Sequence, residues 1–216
     1  MAETKRGPKA KLTHELLVNA ALRIADAEGL DALSMRRLGT ELGVDPMAAY
    51  RHLPSKKALL AGGVEAVLAG ADITTDPSAP WPEQFRQVAR AYRHAMLEHS
   101  PAVSRLVATT PYNSLESLRI VEQGAAVLKQ ARVPLTEIAP AIQAVGQIVS
   151  GAVLLESFWR EHAAAGGKVY LYPPSLPLAE LPVMSALAAA ESFQPPEGVF
   201  EFGLTAIVEH LETRVG

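Results

Sequence analysis

SMRRLGTELGVDPMAAYRHLPSKK, residues 34–57, decides how the chain folds. Ser34 is an N-cap, its hydroxyl placed to accept from a backbone N–H that no helical carbonyl reaches. Met35, Leu38 and Leu42 recur at spacings of three and four, which sets them on one helical face. Gly43 stands where a left-handed residue closes that helix. Val44 fills the turn, Asp45 offers a second N-cap, and Pro46 falls at the first helical position, where its missing N–H costs nothing. The second helix, Pro46 to His52, stops at Leu53-Pro54, and Ser55 caps a third. Two short helices joined by about three residues that include glycine match a helix-turn-helix.

The apolar set Leu38, Leu42, Val44, Ala49 and Leu53 turns inward. Arg36, Arg37, Met47, Ala48, Tyr50, Arg51, His52, Lys56 and Lys57 are then available outside. Small residues at the start of a recognition helix let its backbone approach base edges, while Arg and Lys hold phosphates. An ordinary helical hairpin with a solvated charged face has the same spacing. The outward chemistry is what points to DNA.

Composition bounds the rest. Apolar residues make up 49% of the 216 and charged residues 20%, enough for a sizeable buried core. The chain has no cysteine, which fits a reducing compartment. No stretch reads as long and uncharged enough to span a membrane, and the basic N-terminus has no apolar signal region, so a cytoplasmic protein is expected. The net charge of −3 conceals an asymmetry. Residues 1–57 hold ten Lys and Arg against seven Asp and Glu, whereas residues 58–216 hold ten against sixteen. A basic head on an acidic body suggests that only the head meets a polyanion.

Residues 1–12 are expected to be a mobile basic arm (Lys5, Arg6, Lys9, Lys11), either reaching DNA or acting as a solubilising tail. Thr13–Glu28 reads as the first helix, ended by Gly29, so that residues 13–60 form a three-helix head. Residues 61–216 form the body. Ser55 begins a helix to about Ala71 that continues from head to body, with Gly62-Gly63 marking close packing or a bend. After the Pro-rich connector 72–82, helical periods cover Glu83–His99, Ala102–Thr109, Asn113–Ala131, Leu135–His162, Leu178–Ala190 and Glu197–Arg214. Pro140 implies a late first turn or a kink in the long helix. Gly146, Ser150 and Gly151 there would allow close backbone approach, and Ala163–Pro177 reads as a loop. The whole is all-α, with no credible strand. Leu135–His162 and Glu197–Arg214 carry more apolar surface than one core can bury, so they are expected to pair two copies. A charge at Val208 would then separate the protomers.

The order of these features resembles the TetR family of bacterial transcriptional regulators. The head match rests on Ser34-Met35-Arg36-Arg37-Leu38-Gly39, Leu42-Gly43-Val44, Tyr50-Arg51-His52-Leu53 and Ser55-Lys56-Lys57-Ala58-Leu59-Leu60. A looser match to the tetracycline-repressor branch spans about 81–160: Trp81 with Phe85, Tyr92 to Leu97, Thr109-Thr110-Pro111 and Gly151 to Leu154. The resemblance implies an all-helical homodimer, joined through the long and final helices as a four-helix bundle. It implies an inducer that binds in the body, moves the connecting helix and separates the recognition helices. It also implies DNA contacts from Arg36, Met47, Ala48, Tyr50, Arg51, His52 and Lys56, with Tyr50, His52 and Lys56 at phosphate positions. Pro46, Met47 and Ala48 lack the amide and hydroxyl by which relatives read bases, so no operator sequence carries over.

The function expected is therefore that of a ligand-responsive regulator, most simply a repressor. It would bind a palindromic operator as a homodimer and be released by a small, largely apolar inducer. A ligand-independent or architectural DNA-binding protein, or an enzyme with a vestigial head, are the alternatives. Pocket candidates are Tyr92, Met96, Leu106, Thr109, Val121, Gln123, Ile142, Gln143 and Gly146. Where the tetracycline repressor ligates the drug's metal ion with a histidine, this chain has Leu106. At the glutamate position in the long helix it has Leu155. Alkyl groups do not replace nitrogen or oxygen around magnesium, so a magnesium–tetracycline complex is not the expected ligand. The six histidines, residues 14, 52, 94, 99, 162 and 210, show no metal-ligand spacing. No phosphate loop, nucleophile elbow or general-acid pair stands out, so no cofactor, metal or catalytic residue is expected.

Overall fold

The computed structural model describes residues 12–111, 114–167, 177–190 and 195–215; among them there are helices and no strand. Residues 1–11 of the expected basic arm and most of the expected 163–177 loop lie outside the described residues. The helices are α1 (His14–Glu28), α2 (Met35–Leu42), α3 (Pro46–Tyr50), α4 (Lys56–Ala69), α5 (Trp81–Leu97), α6 (Pro101–Thr109), α7 (Leu115–Gln130), α8 (Leu135–Ala164), α9 (Pro182–Ala189) and α10 (Pro196–Glu212). A short 3-10 turn, Leu178–Glu180, precedes α9, so the single helix expected over 178–190 is divided at Leu181-Pro182.

Side-chain caps start the helices where the sequence placed them. Thr13, Ser34, Asp45 and Ser55 accept from the backbone N–H of Leu16, Arg37, Met47 and Ala58. Gly43 is left-handed at φ 63, and the N–H groups of Gly43 and Val44 return to the Thr40 and Gly39 carbonyls, a Schellman closure. Gly39 is needed for the tight turn that follows. A Cβ there would stand 2.9 Å from the Val44 carbonyl oxygen and 3.1 Å from Pro46 Cγ.

Two apolar cores form. The first joins α1 to α4 through Leu17, Ile24, Leu38, Ala49 and Leu59; the second joins α4 to α10 through Val64, Phe85, Met96, Val149 and Phe200. Helix α4 contributes to both, and of its paired glycines Gly62 is the one whose close packing leaves no room for a side chain. A Cβ on Gly62 would lie 2.8 Å from Val18 Cγ2, and one on Gly63 3.4 Å from Leu22 Cδ2. At the far end of α1, Asp26 accepts from the Ser100 N–H at 2.8 Å and lies 2.8 Å from His99 Nδ1, fastening the head to the start of α6.

In the body, α8 packs against both α6 and α10. Arg93 of α5 is mostly buried, paired with Glu156 of α8 and lying over the Phe200 ring of α10 at 5.4 Å. Arg90 pairs with Glu201 of α10 at 2.8 Å. That hydrogen-bonded pairing holds the Glu201 carboxyl below its usual range.

Three expectations need correction. Of the two alternatives expected at Pro140, the late first turn does not occur: the Glu137 and Ile138 N–H groups bond to the Pro134 carbonyl at 2.8 and 3.2 Å, and the helix includes Pro140. Helix α8 is also long and apolar enough to cross a membrane by length and composition, with mean hydropathy 1.7 over its best window, of which 39% is buried. The uncharged run from Ile138 to Leu155 accounts for this, its charges being confined to the helix ends. Finally, Val208 is fully buried in its own chain, among the body core with Phe200, Leu204 and Leu211. The outward apolar residues of α10 are instead Val199 and Phe202, 55% and 78% exposed.

Candidate nucleic-acid interface and ligand pocket

Helix α3 is held by one residue and offers the others. Ala49 is fully buried against the head core, while Met47 and Tyr50 stand 66% and 45% exposed. Arg36 on α2, Arg51 and His52 after α3, and Lys56 at the start of α4 are exposed with them, and Ala48 is half-buried. All seven sequence candidates therefore belong to the segment from α2 to the start of α4. Lys56 is partly committed: its ammonium donates to the Leu30 carbonyl at 3.0 Å, which leaves two hydrogens for another acceptor.

Arg37 departs from the outward set. Its guanidinium binds Glu28 at 2.6 Å and Glu41 at 3.0 Å, staking α2 to the end of α1. These hydrogen bonds raise the arginine's pKa further and lower that of Glu28. The cation is thus a structural tie of the head.

Two of the spaces bordered by the described residues share Tyr92 as a wall. The larger, about 400 Å³, is walled by α4 (Leu60, Val64, Leu68), α5 (Tyr92), α6 (Leu106, Val107) and the turn that starts α7 (Ser114, Ser117). Lys57 and Glu65 stand at its α4 side, and Thr110 lies on the opposite wall. The smaller, about 40 Å³, is almost wholly apolar, enclosed by Phe85, Val88, Tyr92, Val121, Gly124, Ile142 and their neighbours on α5, α7 and α8.

Of the nine pocket candidates, the structure brings Tyr92, Val121, Ile142 and Gly146 to the small space and Tyr92 with Leu106 to the large one. The other four line neither. Met96 is fully buried in the core. Thr109 is exposed, its hydroxyl bonded back to the Arg105 carbonyl at 2.7 Å. Gln123 and Gln143 lie on exposed faces of α7 and α8, as their polar amides favour. Leu155, also compared with a ligand position, is 42% exposed.

The sequence reading missed the contribution of α4 to the large space and that of Phe85 and Gly124 to the small one. Gly124 did leave a signal. A glycine in the middle of a helix costs about 1 kcal/mol relative to alanine, so it marks a place where something comes close. Here that neighbour is Ile142, whose Cδ1 would lie 2.8 Å from a Cβ. Among the described residues no three His, Cys, Asp or Glu side chains cluster as a metal site. His94 pairs with Glu98 and His99 with Asp26.

Residues 17–62 match the family model described as bacterial regulatory proteins, tetR family. Residues 74–215 match that described as tetracyclin repressor-like, C-terminal domain. The chain is 29% identical to the HTH-type transcriptional repressor DrrR1 of Streptomyces coeruleorubidus over 97% of its own length and 81% of that protein's. It is 28% identical to the class A tetracycline repressor protein of Escherichia coli transposon 1721, covering 94% and 92% of the two chains. The fold is similar to that of ActR from Streptomyces coelicolor, crystallised in complex with actinorhodin. That match has a TM-score of 0.79 and 27% identity, covering 96% of this chain and 98% of that one.

Proposed function

The chain belongs to the TetR family of transcriptional regulators, and on that premise we propose that it is a ligand-responsive repressor acting as a homodimer on a palindromic operator. The observation that carries this reading is the position of the large cavity. One wall is α4, the helix whose residues complete both cores and which begins at Lys56, six residues after α3 ends. A ligand that shifts α4 changes where the head points. The DNA contacts are Arg36, Met47, Ala48, Tyr50, Arg51, His52 and Lys56, with phosphates held by Tyr50, His52 and Lys56.

The partner is a second copy, docked through α8 and α10. Supporting this, Leu155 and Phe158 on α8 and Val199 and Phe202 on α10 are large apolar groups left exposed by the single chain. A Cβ on Gly151, one turn before Leu155, meets nothing within 4 Å, so a neighbouring backbone has room to approach. The same face accounts for the apolar excess of α8. Two closed-dimer heads then meet half-sites about one helical turn apart.

The inducer occupies the large cavity and is mainly apolar. Related proteins are crystallised with organic ligands, as ActR is with actinorhodin. Magnesium–tetracycline is a poor fit, because Leu106 supplies only carbon to the wall. Selection of bound sequences from a random duplex pool, with sedimentation of the free protein, tests the main claim. Spaced palindromes and a dimer at micromolar concentration support it; a monomer, or binding without sequence preference, overturns it. Calorimetry with magnesium and tetracycline tests the exclusion, since micromolar binding abolished by a chelator would refute it.

A further inference from the structure

We propose that Arg160 and Asp26 are positioning residues for operator binding: from opposite sides they hold the turn between α5 and α6, and that turn sets the angle of the head on the body. This rests on the reading of the chain as a homodimer on a palindromic operator and adds what fixes the spacing of the two half-sites.

Helix α5 ends at Leu97 and α6 begins at Pro101, so only Glu98, His99 and Ser100 join them. The last carbonyls of a helix find no donor inside it. Here side chains from two other helices supply the donors. The buried Ser104 hydroxyl of α6 donates to the Met96 carbonyl at 2.7 Å. The two terminal nitrogens of Arg160, on α8, donate to the Leu97 and His99 carbonyls at 2.9 and 3.1 Å. A guanidinium is a rigid planar fork, so it fixes the two carbonyls relative to each other as well as to α8. One residue further along α8, Glu161 accepts from Arg105 of α6 at 2.8 Å.

The other side of the turn belongs to the head. Asp26, near the end of α1, accepts from the Ser100 N–H with one oxygen and lies against His99 Nδ1 with the other, both at 2.8 Å. Among the described residues, the hydrogen bonds that join α1–α3 to the helices beyond α4 all end on His99 or Ser100. His99 is thus held by its carbonyl from α8 and by its ring from α1.

Helix α4 alone carries the chain from head to body. A head fastened only along one helix keeps its rotation about that helix, and a second fastening away from the axis removes it. Arg160 lies two residues beyond Phe158, an exposed ring of the proposed dimer face, so the turn is held to the helix that pairs the two copies. Adding one base pair between half-sites shifts one of them by about 3.4 Å and turns it by about 35°. Head angle is therefore read out as a preference for one spacing.

Fluorescence anisotropy on the full-length protein tests this. The probes are the operator that wild type selects from a random duplex pool, the same duplex with one base pair added or removed at its centre, and a single half-site. The variants are Arg160→Met and Asp26→Ala; both positions are exposed, so neither change opens a core. Each should lower the ratio of affinities between selected and shifted spacing at least about fivefold, the low end of coupling between two sites. Half-site affinity and the sedimentation of the dimer should stay as in wild type, which a merely weakened fold would not allow. The double variant should match the stronger single one, because both residues act through one turn. Should wild type select no spaced palindrome, the dimer reading fails and this inference with it. Given a preferred spacing, that reading stands, and three results overturn the inference alone: either variant keeps the full ratio, the two effects multiply in the double variant, or half-site affinity falls in step with that of the whole site.

Discussion

Two exposed surfaces among the described residues differ in kind. The head exposes Arg36, Arg51, His52 and Lys56 around a small apolar pair, Met47 and Tyr50. The body exposes Leu155, Phe158, Val199 and Phe202 on two of its longest helices. The first surface is built for a polyanion, where charge supplies the affinity and salt weakens it. The second is apolar, and on the proposed dimer buried area would supply the affinity. Neither describes the cores beneath them, which are alike in composition. Helical period alone separates core from surface when one side is polar, as in the head. It cannot do so when both sides are apolar, as in α8 and α10.

The contrast between the inner and outer sides of α10 has the largest expected consequence. Val208→Asp places an unpaired charge in a fully buried position, and a loss of more than about 4 kcal/mol of folding stability is expected in chemical denaturation. A folded, merely monomeric variant would put Val208 on the dimer face after all. Phe202→Asp is the complementary change. Monomer stability should stay within about 0.5 kcal/mol, as for an exposed position. Dimer dissociation should rise at least about 30-fold, matching loss of a ~2 kcal/mol aromatic hot spot. Sedimentation across a concentration series reads this, and an unchanged dimer would move the interface elsewhere.

On the head, Lys56→Ala should weaken all duplexes alike and reduce the slope of log affinity against log salt by about one unit. A changed sequence preference with an unaltered slope would make Lys56 a base reader. The smallest effect concerns Arg90 and Glu201, a largely exposed pair worth about 0.5 kcal/mol. Because the folded Glu201 carboxyl lies below its usual range, its contribution is complete above the unfolded value, about 4.3, and is lost as pH falls through the folded value. Glu201→Gln should therefore lower stability at pH 7 and leave it unchanged near pH 2. Equal losses at both would assign the effect to packing.

The local grammar of the head was legible because it is written within a few residues. Thr13, Ser34, Asp45 and Ser55 cap helices that begin one residue later, and Gly43 closes α2. What was not legible depends on partners far along the chain. Arg37 reads as a free cation until α1 brings Glu28 beside it. Leu60, Val64 and Leu68 read as a buried face, which Val64 and Leu68 are, but that this face also walls a cavity depends on how α5, α6 and α7 sit around α4. Gln123 and Gln143 read as pocket polar groups because a helix pattern fixes faces only relative to the neighbours that cover them.

The tie between Asp26 and the start of α6 bears on how such proteins can be recombined. A chimera cut near residue 60, joining this head to another body, would carry Asp26 but leave behind the Ser100 N–H and His99 ring that it holds. It would also leave behind the α6 surface on which α1 rests. A transplanted head is portable only with residues 97–104 copied into the recipient, so the natural unit of exchange is discontinuous in sequence.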